Sequence, residues 1–488
     1  MWSADNLLAT RAPMLPIALS MMGGIVIGIN TSLPYTATPL WLCLAGLLVL
    51  QFFFKSRPLT HSFFIFLCTL LLGMLLAIRE QNRQQQACSG QVEWMEAVVA
   101  SEPTEKAKTM AVELLLCKTG QSTTCYFKKD ERSRALKPGD GVQLLTRIEN
   151  GWHHTLHCYA AADKWQRRPA ALQRLSIVDR MRITFLRWRH SLLEQYRLLG
   201  ASDDAYSVLA AMTLGDKSAL SRELRDTYSV TGASHVLALS GLHLGIIYML
   251  LSSLTFYERR RSIVSQTVLI LSIWAFALLV GLPVSVVRSA CMISIFALFS
   301  LGQRPHMSVN LLALAAIIIL LLNPLALYDI GFQLSFLSVF SILLALPLME
   351  GKRTKKPEDT KNFWKILIRW VKGSFWISLA AQLGTAPLIA FYFGRFSTYF
   401  LLTNLIVIPA AYAILCGALL MIVLPQTGGL VVWTVERLND VLTGITKLPM
   451  ASLEGLHPSV VQVLLCYVCV AALLVIASVL SRSGWQRS

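Results

Sequence analysis

Residues 234–251 read SHVLALSGLHLGIIYMLL, a run apolar enough for lipid that still holds His235, Ser240 and His243 near one end. A span of about 17–25 apolar residues is what crosses a hydrocarbon core roughly 30 Å thick. The opening stretch extends over 235–256, and comparable runs occur at 13–31, 40–54, 62–78, 263–282, 284–301, 308–323, 330–349, 373–393, 399–424 and 459–481. Of all 488 residues, 55% are hydrophobic and 15% are charged, with mean hydropathy +0.56. Soluble chains carry about 25% charge, so the composition excludes a soluble globular class and points to a polytopic α-helical membrane protein. Segment 430–450 fits less well, because Glu436, Arg437, Asp440 and Lys447 interrupt it. It reads as a poor span, a re-entrant piece or an interfacial helix.

The formal net charge is +17, and its placement orients the chain. Lys55 and Arg57, Arg259 to Arg261, Arg304, and the series Lys352, Arg353, Lys355, Lys356, Lys361, Lys365 and Arg369 all fall between spans. Basic residues favour cytoplasmic loops. Placing these clusters inside puts the N-terminus in the cytoplasm and the long soluble stretch 79–205 outside. Cys88, Cys117, Cys125 and Cys158 lie in that outer stretch. An exported, oxidising location makes them disulfide candidates, with the pairing open. Cys466 and Cys469 sit inside a span, where cysteine behaves as a small hydrophobe.

The outer stretch changes rhythm. Short alternating runs such as Ala111-Val-Glu-Leu-Leu-Leu116 and Val142-Gln-Leu-Leu-Thr146 flank a Lys137-Pro-Gly-Asp-Gly141 turn. This predicts a small extracytoplasmic β-barrel, OB-like, inserted after the third transmembrane helix. Tyr126, Phe127, Lys128 and Lys129 combine rings with cations, as a single-strand stacking platform does; an ordinary strand with a solvated end explains them too. His153, His154 and His157 beside Cys158 lack a second spaced cluster, so no metal is expected. From 172 to 196, Leu172, Leu175, Val178, Met181, Phe185, Trp188, Leu192 and Tyr196 recur every three or four residues, one apolar helix face. Arg174, Arg180, Arg182, Arg187 and Arg189 occupy the rest. This is a basic amphipathic helix at a membrane surface, either resting on anionic lipid or gathering a polyanion.

Polar side chains inside spans face a bundle interior or a wet cavity, because unpaired polar groups are costly in hydrocarbon. Ser240 and His243 share a helix face, and Gly241 and Gly245 are spaced for close helix packing. Arg288 lies one turn inside its span, and arginine suits a phosphate by its planar fork. Gln333, Ser335, Ser338 and Ser341 form one polar row; Ser374, Ser378, Gln382 and Thr385 form another that ends at Pro387, where a kink is expected. Asn310 and Asn404 add one amide each. Taken singly, each reads as interhelical glue worth about 0.6 kcal/mol; together they favour a wet, uncharged, hydrogen-bonding lumen. The spans carry almost no carboxylates, which argues against a proton- or sodium-coupled pump. No GxxxxGK[ST] phosphate loop is present, so the chain is not expected to power itself with ATP.

Several motifs run in one order: Leu214-Gly-Asp-Lys217, Gly232-Ala-Ser-His-Val-Leu-Ala-Leu-Ser-Gly-Leu-His-Leu244, Pro283-Val-Ser-Val-Val-Arg-Ser-Ala290, Asn323-Pro324, Asp329-Ile-Gly-Phe-Gln-Leu-Ser-Phe336, Gln382-Leu-Gly-Thr-Ala-Pro387 and Asn404-Leu-Ile-Val-Ile-Pro409. With these the chain resembles the ComEC family of competence proteins across about 205–410. The resemblance implies passage of single-stranded DNA through the bacterial inner membrane into the cytoplasm during natural transformation. It implies an external DNA-receptor protein and a separate cytoplasmic motor ATPase, and allows a homodimer. Many relatives carry a metallo-β-lactamase-like domain with an HxHxDH pattern; this sequence has none, so a separate nuclease is expected, and no enzyme activity or cofactor.

The expected organisation is therefore N-terminal spans in 1–78, the OB-like domain in 79–165, the basic helix in 166–204, a channel domain in 205–481 and a tail in 482–488. Channel-lining candidates are His235, Ser240, His243, Arg288, Asn310, Gln333, Ser335, Ser338, Ser374, Ser378, Gln382, Thr385 and Asn404. DNA-binding candidates are Tyr126, Phe127, Lys128, Lys129, Arg174, Arg180, Arg182, Arg187 and Arg189. Competing readings are a transporter or flippase for another anionic polymer or solute, and a membrane-embedded enzyme using His243.

Overall fold

The computed structural model describes residues 12–31, 38–53, 58–87, 92–150, 156–161, 163–169, 172–254, 262–301, 309–349 and 363–483. Most of the expected cytoplasmic basic clusters (Lys55 and Arg57, Arg259 to Arg261, Arg304, Lys352 to Lys361), together with Cys88, His153 and His154, lie outside these residues.

In chain order the helices and strands are α1 (Met14–Asn30), α2 (Thr38–Phe53), α3 (Pro58–Ala87), β1 (Glu93–Val99), β2 (Thr104–Glu105), β3 (Thr109–Leu116), β4 (Ser122–Lys128), α4 (Glu131–Arg134), β5 (Gly141–Thr146), β6 (Glu149–Asn150), β7 (Leu156–Ala160) and β8 (Trp165–Arg168). They continue as α5 (Ile177–Arg197), α6 (Asp203–Leu214), α7 (Arg222–Val230), α8 (Ser234–Leu237), α9 (Gly241–Leu254), α10 (Ile263–Leu279), α11 (Val284–Leu301) and α12 (Val309–Leu322). The last are α13 (Ile330–Met349), α14 (Phe363–Phe393), β9 (Arg395–Ser397), α15 (Phe400–Val423), α16 (Gly428–Thr446), β10 (Ser452–Glu454) and α17 (Val460–Ser483). Among the described residues ten of the eleven expected apolar runs are each carried by one helix, and the run at 235–256 is broken at Ala238. Among the described residues, five helices are long and apolar enough to cross a membrane, and six further apolar helices run 10–17 residues. The protein is thus mostly helical and compatible with a multi-pass membrane protein. It divides into two compact units, one formed by residues 1–195 and 259–332, the other by 196–258 and 333–488.

In the first unit α1 lies along α3 at very close range. A Cβ on Gly24 would strike the Leu70 carbonyl, and one on Gly73 would strike the carbonyl of Met21. Only glycine permits that approach, the small-residue packing of membrane helices. Hydroxyls add bonds there: Ser20 donates to the Phe66 carbonyl at 2.6 Å, and Thr69 donates to Ser20 Oγ at 3.0 Å. The expected Gly245 does not pack in this way: its Cβ would meet no atom within 4 Å among the described residues.

The same unit holds an eight-stranded sheet in the order β6-β7-β4-β3-β1-β5-β8, with β2 paired to β3. All pairs are antiparallel except β4 with β7. The sheet is not a closed barrel, which corrects the expected β-barrel. Its edge strands β6 and β8 have two and four residues, too few for a closing ladder. The sheet instead curls until Thr146 Oγ1 on β5 donates to the Tyr159 carbonyl on β7 at 2.8 Å. One face encloses a core that includes Val99, Leu114, Phe127, Leu144 and Trp165. The other face, at Val98 and Leu115, packs on Ile183 and Leu186 of α5. Ile183 and Leu186 lie outside the expected row, of which Leu172 and Leu175 join this contact and Tyr196 is buried. Val178, Met181 and Trp188 of the expected row are exposed.

In the second unit α6 is almost wholly buried. The ambiguous segment resolves as α16, a regular amphipathic helix: Val431, Val435, Leu438, Leu442 and Ile445 are buried, while Arg437 pairs with Asp440 at 2.9 Å on the exposed side. Asn439 Oδ1 accepts the hydroxyl of the fully buried Tyr228 at 2.8 Å. β9 and β10 form a small ladder whose Arg395 bridges Asp226 at 2.7 Å and Glu454 at 2.9 Å.

Candidate functional site

The opening stretch does not form one continuous helix. α8 ends at Leu237, the backbone extends at Ala238, and α9 begins at Gly241. Ser240 is the residue before that start. Its backbone N–H donates to His243 Nδ1 at 3.2 Å, and its Oγ lies 3.0 Å from the same nitrogen. A backbone N–H only donates, so Nδ1 is the acceptor and the ring proton resides on Nε2. An N3 side chain reaching back to the N-cap N–H is one half of a capping box, made here by an imidazole instead of Glu or Gln. His243 is fully buried, and Nε2 has no partner among the described residues. Ser240 Oγ therefore has a base beside it, but no carboxylate orients the far side of the ring as nucleophilic catalysis requires. His235 points its Nδ1 at the Gly232 carbonyl, 3.1 Å away, and is exposed.

Arg288 on α11 is buried at 3% exposure. Its Nη1 donates to Asp329 Oδ1 at 3.1 Å. The same Oδ1 accepts the Phe332 N–H at 2.7 Å, so Asp329 caps α13 while neutralising the guanidinium. Gly331 makes room for this. A Cβ there would lie 3.0 Å from both Arg288 Nη2 and Asp329 Oδ1. Two of the quoted motifs thus meet through Arg288 and Asp329. The partner escaped the sequence reading although Asp329 opens its motif. In the same unit Asn310 Oδ1 accepts the Met14 N–H at 2.8 Å and so caps α1.

In the second unit the polar rows of α13, α14 and α15 meet one another. Asn404 Nδ2 donates to Ser378 Oγ at 3.3 Å, linking α15 to α14. Tyr392 donates to Gln333 Oε1 at 2.8 Å, linking α14 to α13. Gly384 on α14 lies so close to Ser341 that a Cβ would strike the serine hydroxyl. The Gly384 carbonyl accepts the Tyr467 hydroxyl of α17 at 2.8 Å. α14 runs through Pro387 to Phe393 without ending. Thr385 spends its hydroxyl on the Ala381 carbonyl of its own helix, 3.1 Å away. Ser335, Ser338, Ser374 and Gln382 are half-buried. The bonds Asn404–Ser378, Tyr392–Gln333, Tyr467–Gly384 and Thr385–Ala381 are separate contacts between protein groups. Two buried oxygens are left over, Asn404 Oδ1 and Thr403 Oγ1, which have no partner among the described residues. Residues 373–393, 400–423 and α13 hold no charged side chain. Tyr392, Tyr467 and Gly384 were not singled out in the sequence, because aromatics and glycines are common in spans.

Four of the five arginines of the basic segment bond to the protein, although Arg174 and Arg187 remain exposed. Arg174 pairs with Glu96 at 2.5 Å. Arg182 pairs with Glu113 at 3.0 Å and donates to the Gly281 carbonyl at 3.0 Å. Arg187 donates to the Gly139 carbonyl at 3.0 Å, and the buried Arg189 to the Val280 carbonyl at 3.2 Å. Arg182 and Arg189 thus cap the C-terminal end of α10, where the helix dipole favours cations. Arg180 is exposed and has no ion pair among the described residues. On β4, Phe127 is a core residue and Tyr126 and Lys128 face outward, while Lys129, just past the strand, is paired with Glu105 at 2.7 Å.

A profile of the competence-protein family matches residues 212–480, more than half of the chain. ComE operon protein 3 of Bacillus subtilis (strain 168) is 24% identical over 456 residues, which cover 88% of this chain and 56% of that protein. Recombination protein 2 of Haemophilus influenzae is 25% identical over 252 residues, covering 49% of this chain and 31% of that one. Competence protein ComA of Neisseria gonorrhoeae is 29% identical over 181 residues, covering 34% and 26%. The chain thus spans little more than half the length of the first of these relatives, and less of the others. No solved structure matches it. With the family profile lying over the helices that carry the Ser240–His243 cap and the polar seam, the chain belongs to the ComEC-type competence-protein family.

Proposed function

We propose that the protein is an inner-membrane channel that admits one DNA strand to the cytoplasm during natural transformation. Its N-terminus lies inside and its curled, OB-like sheet lies outside. An external DNA receptor delivers the strand and a separate cytoplasmic motor draws it in. The observation that carries the reading is the seam of α13, α14 and α15, where residues 330–349, 373–393 and 400–423 offer hydroxyls and amides but no charge. A phosphodiester bears one negative charge per nucleotide. Carboxylates would repel it, and a row of lysines would hold it too tightly to move. Neutral groups that both donate and accept avoid both failures. Conduction on this reading requires the strand to take over bonds now made between protein groups, Asn404 to Ser378 and Tyr392 to Gln333.

Deleting the gene in a competent host should abolish internalisation of labelled DNA while leaving surface-bound DNA in place. Normal internalisation would overturn the proposal. The Ser378→Val and Asn404→Leu pair should reach the membrane at wild-type level yet lose uptake; unchanged uptake would remove the seam from the path.

A further inference from the structure

β4 and β7 run parallel with Cys125 opposite Cys158 and Tyr126 opposite Tyr159. Alternation along the strands sends Cys125, Phe127 and Cys158 into the core. It sends Tyr126, Lys128, His157 and Tyr159 to the other face. There the Tyr126 and Tyr159 rings stack, centroids 5.3 Å apart at 25°. His157 stands edge-on to Tyr159 at 5.7 Å and 90°. The three rings form one strip, and Tyr159 keeps 59% of its surface in solvent. Lys128, two residues along β4 from Tyr126, is exposed and has no ion pair among the described residues. Across β3 the residue opposite Tyr126 is Ala111, so no long side chain walls the strip on that side. Two acids lie near, and both are engaged: Glu149 is 3.7 Å from His157 and 3.8 Å from Arg147, and Glu113 is held by Arg182.

A cross-strand aromatic pair stabilises a sheet by about 0.2–1 kcal/mol. That accounts for the contact between the rings. It does not account for the open outer face of Tyr159, an edge-on imidazole beside it and an unpaired lysine at the strip's end. We propose that this strip is a stacking platform for unpaired nucleobases, with Tyr159 taking the first base and Lys128 a neighbouring phosphate. The ligand class is single-stranded nucleic acid, because a duplex keeps its base faces stacked internally and offers none to a ring. The inference deepens the proposed function by naming where the strand is held on the sheet, and it rests on the reading that the protein handles DNA.

The test uses the full chain in nanodiscs of zwitterionic lipid, with fluorescein-labelled thymidine 20-mers and a duplex of equal length read by anisotropy. The single strand should bind more tightly than the duplex. Tyr159→Leu, which keeps the apolar bulk but loses the ring, should weaken single-strand binding about 5- to 100-fold, and Tyr159→Phe should keep it. The slope of log affinity against log salt should be unchanged in Tyr159→Leu and shallower by about 0.7 in Lys128→Ala. Equal affinity of wild type and Tyr159→Leu, or equal binding of duplex and single strand, overturns the platform. Ring-dependent binding in a protein whose deletion leaves uptake normal keeps the platform and sinks the channel. Loss of uptake on deletion without ring-dependent binding does the reverse.

Discussion

Arg288 and Asp329 form an unequal pair: Nη1 donates to Oδ1 at 3.1 Å, yet the arginine side chain is 4% exposed and the aspartate 44%. The cost of breaking the pair depends on which partner is left behind. Removing the aspartate strands a buried guanidinium and uncaps α13, so Asp329→Ala should cost about 2–3 kcal/mol. Arg288→Met leaves a carboxylate that water already reaches, and should cost about 1 kcal/mol. Arg288→Glu sets two carboxylates together and should prevent stable folding, so its loss of uptake would say nothing about phosphate contact. Thermal unfolding in detergent measures all three. Equal losses for Asp329→Ala and Arg288→Met would mean that the burial asymmetry does not govern the pair.

The cap at α9 separates a structural imidazole from a catalytic one. Gln at 243 keeps an acceptor for the Ser240 N–H, whereas Leu does not. His243→Gln should therefore retain stability and uptake, and His243→Leu should lose about 1 kcal/mol. Ser240→Ala keeps the backbone donor and should be mild. If His243→Gln is as inactive as His243→Leu while equally well folded, the ring has a chemical role that capping does not supply.

The spans were legible because twenty apolar residues have few soluble alternatives, and ten of the eleven expected runs are carried by a single helix. What could not be read was which groups face which. Ser240 and His243 were recognisable as sharing a face, but their role depends on a helix break at Ala238 that apolar composition does not mark. α5 carries two apolar rows. Of the row read from periodicity Leu175 and Tyr196 are buried while Val178, Met181 and Trp188 are exposed, and the sheet takes Ile183 and Leu186 of the other row, a choice visible only once β1 and β3 are in place. Barrel closure failed for a similar reason: strand rhythm counts strands, whereas closure depends on the length of β6 and β8.

Because Arg182 and Arg189 cap α10, the arginines of α5 should behave as two classes. Arg189→Ala removes a buried donor from the Val280 carbonyl and should lower stability by about 1–2 kcal/mol, with no ligand present. Arg180→Glu touches no protein partner and should leave unfolding unchanged. It should instead reduce binding of the purified chain to vesicles containing phosphatidylglycerol, more so at low salt, since Ile177, Met181 and Trp188 are exposed on the same helix. Vesicle binding insensitive to Arg180→Glu and to salt would dissociate this face from lipid.

Cys125 and Cys158 face each other across β4 and β7 as register partners in the core, and both thiols are free. Burial pushes the Cys125 thiol up, while the hydrogen bond from Cys125, with help from Thr123 and Thr146, pulls Cys158 down. The less acidic partner thus supports the thiolate of the other, the form that attacks a disulfide oxidant. Neighbouring strands lie about 4.8 Å apart, within the roughly 4.4–6.8 Å between Cα atoms that a disulfide spans. With the sheet outside the membrane, as proposed, exchange with an oxidised disulfide carrier should convert the two thiols to one bond as the carrier gains both electrons and protons. Cys117 packs against α5 on the opposite face of the sheet and is excluded from that pair. Maleimide labelling of the denatured protein from intact cells should mark Cys117 with or without reductant, and Cys125 and Cys158 only after reduction. Labelling of all three without reductant would show that the pair stays reduced and that the sheet does not depend on a covalent tie.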